Sequence, residues 1–96
     1  MSAVFWEIVG HDGADEVFRT ITKRRMGDKR VRWLLVALQS QHLTAQEIVY
    51  GFEQCKGLKV GFELDVRLEP GGMYTCGSGW HYSARPYQAN ANRKMT

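Results

Sequence analysis

The chemistry this chain could perform starts with its histidines. His11 stands beside Asp12 in "GHDGADE", an imidazole next to a carboxylate, which are the parts of an acid/base unit. A solvated loop pair is the plainer reading of the same two residues. His81 lies in "GSGWHYSAR". With Tyr82 and Arg85 it would supply a base, an acid and a cationic phosphate stabiliser, enough for metal-free cleavage of a phosphodiester. His42 falls between two apolar-periodic segments and reads as a turn residue. HxxxH, CxxC and HxxE are absent, so no metal site is expected. GxSxG, P-loop, Rossmann and HExxH patterns are absent too. Gly77-Ser78-Gly79 precedes no helical pattern and makes a poor phosphate loop. The expectation is a protein without catalytic residues, metal or cofactor.

A second group of residues points to binding. Lys23, Arg24, Arg25, Lys29, Arg30 and Arg32 fall within ten residues, next to Trp33. Take about 100° per helical residue, with Val31 at zero. Leu34, Leu35 and Leu38 then lie within about 60° of it, whereas Lys29, Trp33, Val36, Ala37 and Ser40 fall on the opposite half. Trp33 is thereby centred in a basic face. Tryptophan and arginine are enriched at binding hot spots. An aromatic among cations also suits base stacking with phosphate neutralisation. Two structural readings compete: a helix buried on both sides, or arginine stems laid over the indole. The expected binding residues are Lys23, Arg24, Arg25, Lys29, Arg30, Arg32 and Trp33, with His81, Tyr82 and Arg85 as a second set.

The elements that must position these groups follow from periodicity. Phe5 to Val9 and Val17 to Lys23 read as strands around an acidic loop that turns at Asp12-Gly13. Asp28 is placed to cap a helix over 28–41, with Val31, Leu34, Leu35 and Leu38 on its buried face. Thr44 and Glu47 form a capping box, with Leu43 and Ile48 as its hydrophobic staple. They predict a second helix over 45–55, stopping near Gly57. "KVGFELDVRLE", residues 59–69, alternates: Val60, Phe62, Leu64, Val66 and Leu68 point one way. Pro70-Gly71-Gly72 turns the chain, Met73 to Cys76 returns, and Trp80 to Tyr82 forms a last short strand. The fold class is therefore α+β, in the order ββααββ. A small antiparallel sheet comes from the N- and C-terminal hairpins, with a two-helix hairpin packed on one face.

"LTAQEIV", residues 43–49, is similar to the second helix of winged helix-turn-helix DNA-binding domains. "GGMYTCGSGWHY", residues 71–82, resembles the start of their β-wing. The resemblance implies a DNA-binding regulator with a recognition helix between the two stretches. That segment is residues 59–69, whose period is two.

The 96 residues suffice for one domain, expected over 1–87, with a flexible polar tail over 88–96. The longest apolar run, Trp33 to Leu38, is far short of the roughly 20 residues of a spanning helix, and no secretory signal is evident. Two cysteines, Cys55 and Cys76, read as structural thiols in a reducing cytoplasm. The net charge of +3 and pI near 9.1 favour acidic partners. The expected function is binding of nucleic acid or a nucleoprotein complex through the Trp33 face. The alternative is a protein-binding inhibitor or adaptor of the kind found in phages and mobile elements, acting on a host protein. No membrane is expected as a partner. A homodimer through the edge of strand 59–69 is a further option.

Overall fold

The computed structural model describes residues 3–56 and 60–88. The chain runs β1 (Phe5–Asp12), β2 (Asp15–Ile21), α1 (Asp28–Ser40), α2 (Ala45–Glu53), a 3₁₀ turn (Phe62–Leu64), β3 (Val66–Glu69), β4 (Met73–Gly77) and β5 (Trp80–Tyr87). It is the expected α+β class with an antiparallel sheet. The five strands form one sheet in the order β2-β1-β5-β4-β3. The last described strand, β5, fills the middle, bonded to β1 on one side and β4 on the other.

β5 is much longer than the three residues expected. Ser83 to Arg85 lack β-branched character, and Pro86 reads as a strand breaker. In the structure Pro86 pairs with Trp6 beyond the last β4 partner, where Tyr74 meets Ala84. A strand proline is tolerated at such an end. β1 likewise extends to Asp12 and draws the expected acidic loop into the sheet, leaving a turn at Gly13 with φ +62°. β2 carries a bulge where His11 faces Glu16 and Gly10 faces Phe18.

Residues 60–69 depart most from expectation. Their alternation predicts one long strand, but the chain makes a 3₁₀ turn and pairs with β4 only from Val66. Val60, Leu64 and Val66 are buried as foreseen, while Phe62 is 45% and Leu68 65% exposed. Phe62 has φ +59°, a left-handed conformation that reverses its direction and breaks the period. Residues 57–59, with the expected helix stop near Gly57, and residues 89–96, the expected tail beyond Gln88, lie outside the described residues. The single 3₁₀ turn is the only helical structure between α2 and β4 among the described residues, so the winged resemblance does not extend to a recognition helix.

The core lies between one sheet face and α1. It gathers Trp6, Ile8, Tyr74, Cys76, Tyr82 and Ala84 from the sheet against Val31, Leu35 and Val36. The buried arc of α1 runs from Val31 to Val36, about 140° further round. It is wider than the leucine stripe because α1 is covered twice, by the sheet and by the layer of α2 and the 3₁₀ turn. α2 therefore packs chiefly on the 3₁₀ turn and not on the sheet. Gly51 makes this possible: a Cβ there would meet the Gly61 carbonyl oxygen at 3.0 Å and Leu64 at 3.2 Å. The capping box forms as expected, Glu47 N–H donating to Thr44 Oγ1 and Thr44 N–H to Glu47 Oε1. Asp28 does not cap α1. Gly27 holds the N-cap position, and Asp28 accepts a hydrogen bond from the Tyr74 hydroxyl at 3.0 Å.

Candidate functional site on the uncovered sheet face

Strand alternation sorts the sheet into two faces. Trp6, Ile8, Tyr82 and Ala84 point toward α1. Their neighbours point away: Phe5, Glu7, Val9 and His11 on β1, and Tyr87, Arg85, Ser83 and His81 directly opposite on β5. Arg19 on β2 and Thr75 on β4 extend this second face sideways. Among the described residues no helix covers it. A shallow trough of about 330 Å³ runs along it, lined by Glu7, His11, Arg19, Thr75, His81 and Arg85 among others.

Two imidazoles meet at its centre. His11 and His81 are cross-strand partners, with ring centroids 4.9 Å apart and planes within 10°. His81 Nδ1 lies 3.0 Å from the Ser78 carbonyl oxygen and 3.2 Å from that of Gly79. Both neighbours are acceptors, so Nδ1 is the donor. His11 Nδ1 is buried and has no hydrogen-bond partner among the described residues. The pair thus offers an aromatic stack at the centre of the trough.

Charge is arranged around it. Arg19 bridges Glu7 and Glu16, and its guanidinium holds the Glu16 carboxyl below the usual range by direct hydrogen bonding. Arg85 makes no ion pair among the described residues. At the far end Phe5 and Tyr87 face each other, and the Arg25 guanidinium lies 5.4 Å from the Phe5 ring centroid. Arg25 thereby joins the basic segment to this face, with Lys23 and Arg24 exposed beside it.

The residues expected to act together are divided. Lys29 and Arg30 are exposed on the first turn of α1. Arg32 is half-buried, its guanidinium 5.5 Å from the Tyr74 ring centroid and its Nε without a partner among the described residues. Trp33 is not the centre of a free basic face. It stacks on Phe52 of α2, centroids 6.1 Å apart, and packs against the core. The helical wheel sets Trp33 and Val36 on the half away from Val31, but Val36 is buried and Phe52 of α2 stacks on Trp33, so that half is not free. Tyr82 is buried on the α1 face, where its hydroxyl meets His42 Nε2 at 2.9 Å, so the trio of His81, Tyr82 and Arg85 does not assemble. His11 joins His81 instead of Asp12, because adjacent strand residues point to opposite faces. Sequence reasoning misses Glu7, Arg19, Ser83, Phe5 and Tyr87. The odd-numbered positions of β1 and β5 carry that signal, once β5 is followed past Tyr82.

Among the described residues no group of three His, Cys, Asp or Glu is placed to hold a metal, and no helix is long and apolar enough to cross a membrane. Comparison with protein-family models, curated proteins and solved structures finds no match to this chain.

Proposed function

We propose that this chain is a nucleic-acid-binding protein of the reducing cytoplasm, and that it grips single strands across the uncovered sheet face. The observation that carries the reading is the register of β1 and β5. It sets Phe5 beside Tyr87 and His11 beside His81, with Arg85 between the two ring pairs. From Phe5 to His11 is six residues, about 20 Å of extended strand. Rings spaced along a groove, with a cation between them, bind successive bases and a phosphate with little regard for sequence, and here Arg85 stands across from Glu7, which Arg19 already pairs. Lys23, Arg24 and Arg25 extend the positive potential past the Phe5 end.

The test is fluorescence anisotropy with a labelled single strand of mixed sequence, over a series of salt concentrations. Log affinity should fall linearly with log salt. Arg85→Ala should weaken binding and flatten that slope by about one phosphate contact. Phe5→Ala should cost roughly 1–3 kcal/mol of binding, as stacked aromatics do. Trp33→Ala should leave binding unchanged. Salt-independent binding, or indifference to Arg85 and Phe5, refutes the reading.

A second reading, a protein-binding inhibitor or adaptor, is favoured by a different surface. Val49, Tyr50, Phe52 and Phe62 are all exposed, and Tyr50 packs edge-on against Phe62 with centroids 5.7 Å apart. Lys29 and Arg30 lie one turn from Trp33 at the margin of this apolar ridge. An acidic segment with apolar anchors is the complementary partner. Its binding would be lost with Phe52→Ser and kept with Arg85→Ala, the reverse of the nucleic-acid pattern.

A further inference from the structure

The two edges of the sheet differ in a way that identifies a partner for one of them. β2 is bulged and bent, and its Arg19 is tied to Glu16 and Glu7, devices that blunt an edge against pairing. β3, the other edge, has no bulge; it is four residues long and ends at Pro70, and its Arg67 and Glu69 lie 3.7 Å apart on one face, an ion pair that a partner strand would exchange for two across the axis. Its sequence is Val66-Arg67-Leu68-Glu69, and Leu68 has the largest exposed fraction among the large apolar residues described.

We infer that β3 pairs with β3 of a second copy of this chain, antiparallel, about a two-fold axis at Leu68. The sequence is self-complementary in that register. Leu68 faces Leu68 of the second copy, and Arg67 faces Glu69 of the second copy twice over, related by the axis. Opposite charges directly across a strand pair are favourable, and like charges there are not.

The backbone agrees with this register. Gly72 N–H donates to the Glu69 carbonyl at 3.2 Å, so that carbonyl is turned toward the hairpin and β4. Alternation then turns the N–H and C=O of Leu68 outward. Leu68 and its symmetry mate therefore form a hydrogen-bonded pair that exchanges two N–H···O bonds. Arg67 and Glu69 fall in the adjoining non-hydrogen-bonded pairs, where side chains lie closest. On the other face Leu68 stands at the rim of an apolar hollow of about 280 Å³ lined by Trp6, Tyr74, Val4 and Pro86.

The axis is perpendicular to the sheet, so both copies present the uncovered face on the same side of a ten-stranded sheet. The two β5 strands are then five strand spacings apart, roughly 24 Å. This inference does not rest on nucleic-acid binding, and its test uses no nucleic acid.

Sedimentation equilibrium of the full chain should show the mass doubling as concentration rises toward about 1 mM, the range of a small interface. Arg67→Glu sets two glutamates opposite each other in both pairs, and Glu69→Arg sets two arginines; each variant alone should stay monomeric. Mixed in equal amounts they should form a heterodimer, because the two carboxylates of one variant then face the two guanidiniums of the other. The double variant R67E/E69R should restore the homodimer. Circular dichroism melts check that each variant folds. A wild-type chain that stays monomeric throughout overturns the proposal. So does a dimer that survives both single charge reversals, or a mixture that fails to associate.

Discussion

Leu64→Ala and Leu68→Ala form a pair whose outcomes should differ sharply. The two leucines are four residues apart and equivalent in the sequence pattern. In the structure Leu64 is fully buried and Leu68 is 65% exposed. Truncation to alanine removes three carbons, worth about 2.4 kcal/mol at roughly 0.8 kcal/mol for each buried CH₂. At position 64 a cavity adds to this, because Gly51 on the facing helix has no side chain to move in. A loss of about 3–4 kcal/mol follows, within the usual range for buried leucines. For a domain of this size that lowers the melting temperature by about 12–32 °C. At position 68 most of the side chain is already in water, and the loss should stay below about 1 kcal/mol. Urea melts at a protein concentration low enough to keep the chain monomeric would measure both. Equal losses at the two positions would refute the 3₁₀ turn and restore the long strand. A small loss at Leu64 would mean that α2 and the turn do not pack as described.

Thr44→Ala should destabilise by about 0.5–2 kcal/mol in the same assay, because it removes the acceptor for Glu47 N–H. A neutral result would place the start of α2 elsewhere. Trp33→Ala should cost roughly 1.5–2.5 kcal/mol, about half the value for a fully buried tryptophan, since the residue is half-buried. A loss under about 0.5 kcal/mol would return Trp33 to the surface. Burial pushes the Cys76 thiol from its ordinary 9.0 up to about 12. A raised folded value means that the stability it reflects is complete below pH 9 and is lost as pH climbs from 9 to 12. That part should reach about 4 kcal/mol at the upper end and be missing in Cys76→Ala. Wild type and variant losing stability in parallel over that window would contradict it.

The capping box, Val31 and Leu35 of α1 and the first hairpin were legible because each depends on residues close in sequence, whereas Leu34 and Leu38 are only half-buried and Val36 and Gln39 take the core places. Thr44 and Glu47 find each other within one helical turn, whatever the rest of the chain does. The pairing of β1 with β5 was not legible, because it joins His11 to His81 across seventy residues. Nothing local to either histidine encodes that contact. Phe62 failed for another reason. Its period-two pattern is real, but a left-handed backbone at a non-glycine residue is a tertiary compromise that hydrophobic pattern does not register. The site was half visible: His81 and Arg85 stand out for their chemistry. His11 reads as the partner of its sequence neighbour, and Trp33 reads as solvent-facing because the path of α2 is not encoded locally.

The central place of β5 also governs the order in which the molecule can form. Until the last described strand exists, β1–β2 and β3–β4 are separate hairpins, each with an open inner edge. Both edges wait for the same segment, Trp80–Tyr87, and closing the sheet joins residues some seventy to eighty positions apart. Contacts of such range come late and slowly, on the millisecond-to-second scale of β-rich domains rather than the microseconds of helical bundles. The helices can form earlier, but α1 has only half a floor to settle on. A chain cut short of residue 80, or still being synthesised, would expose Trp6, Ile8 and Tyr74 beside two unpaired strand edges, and so would be prone to aggregate.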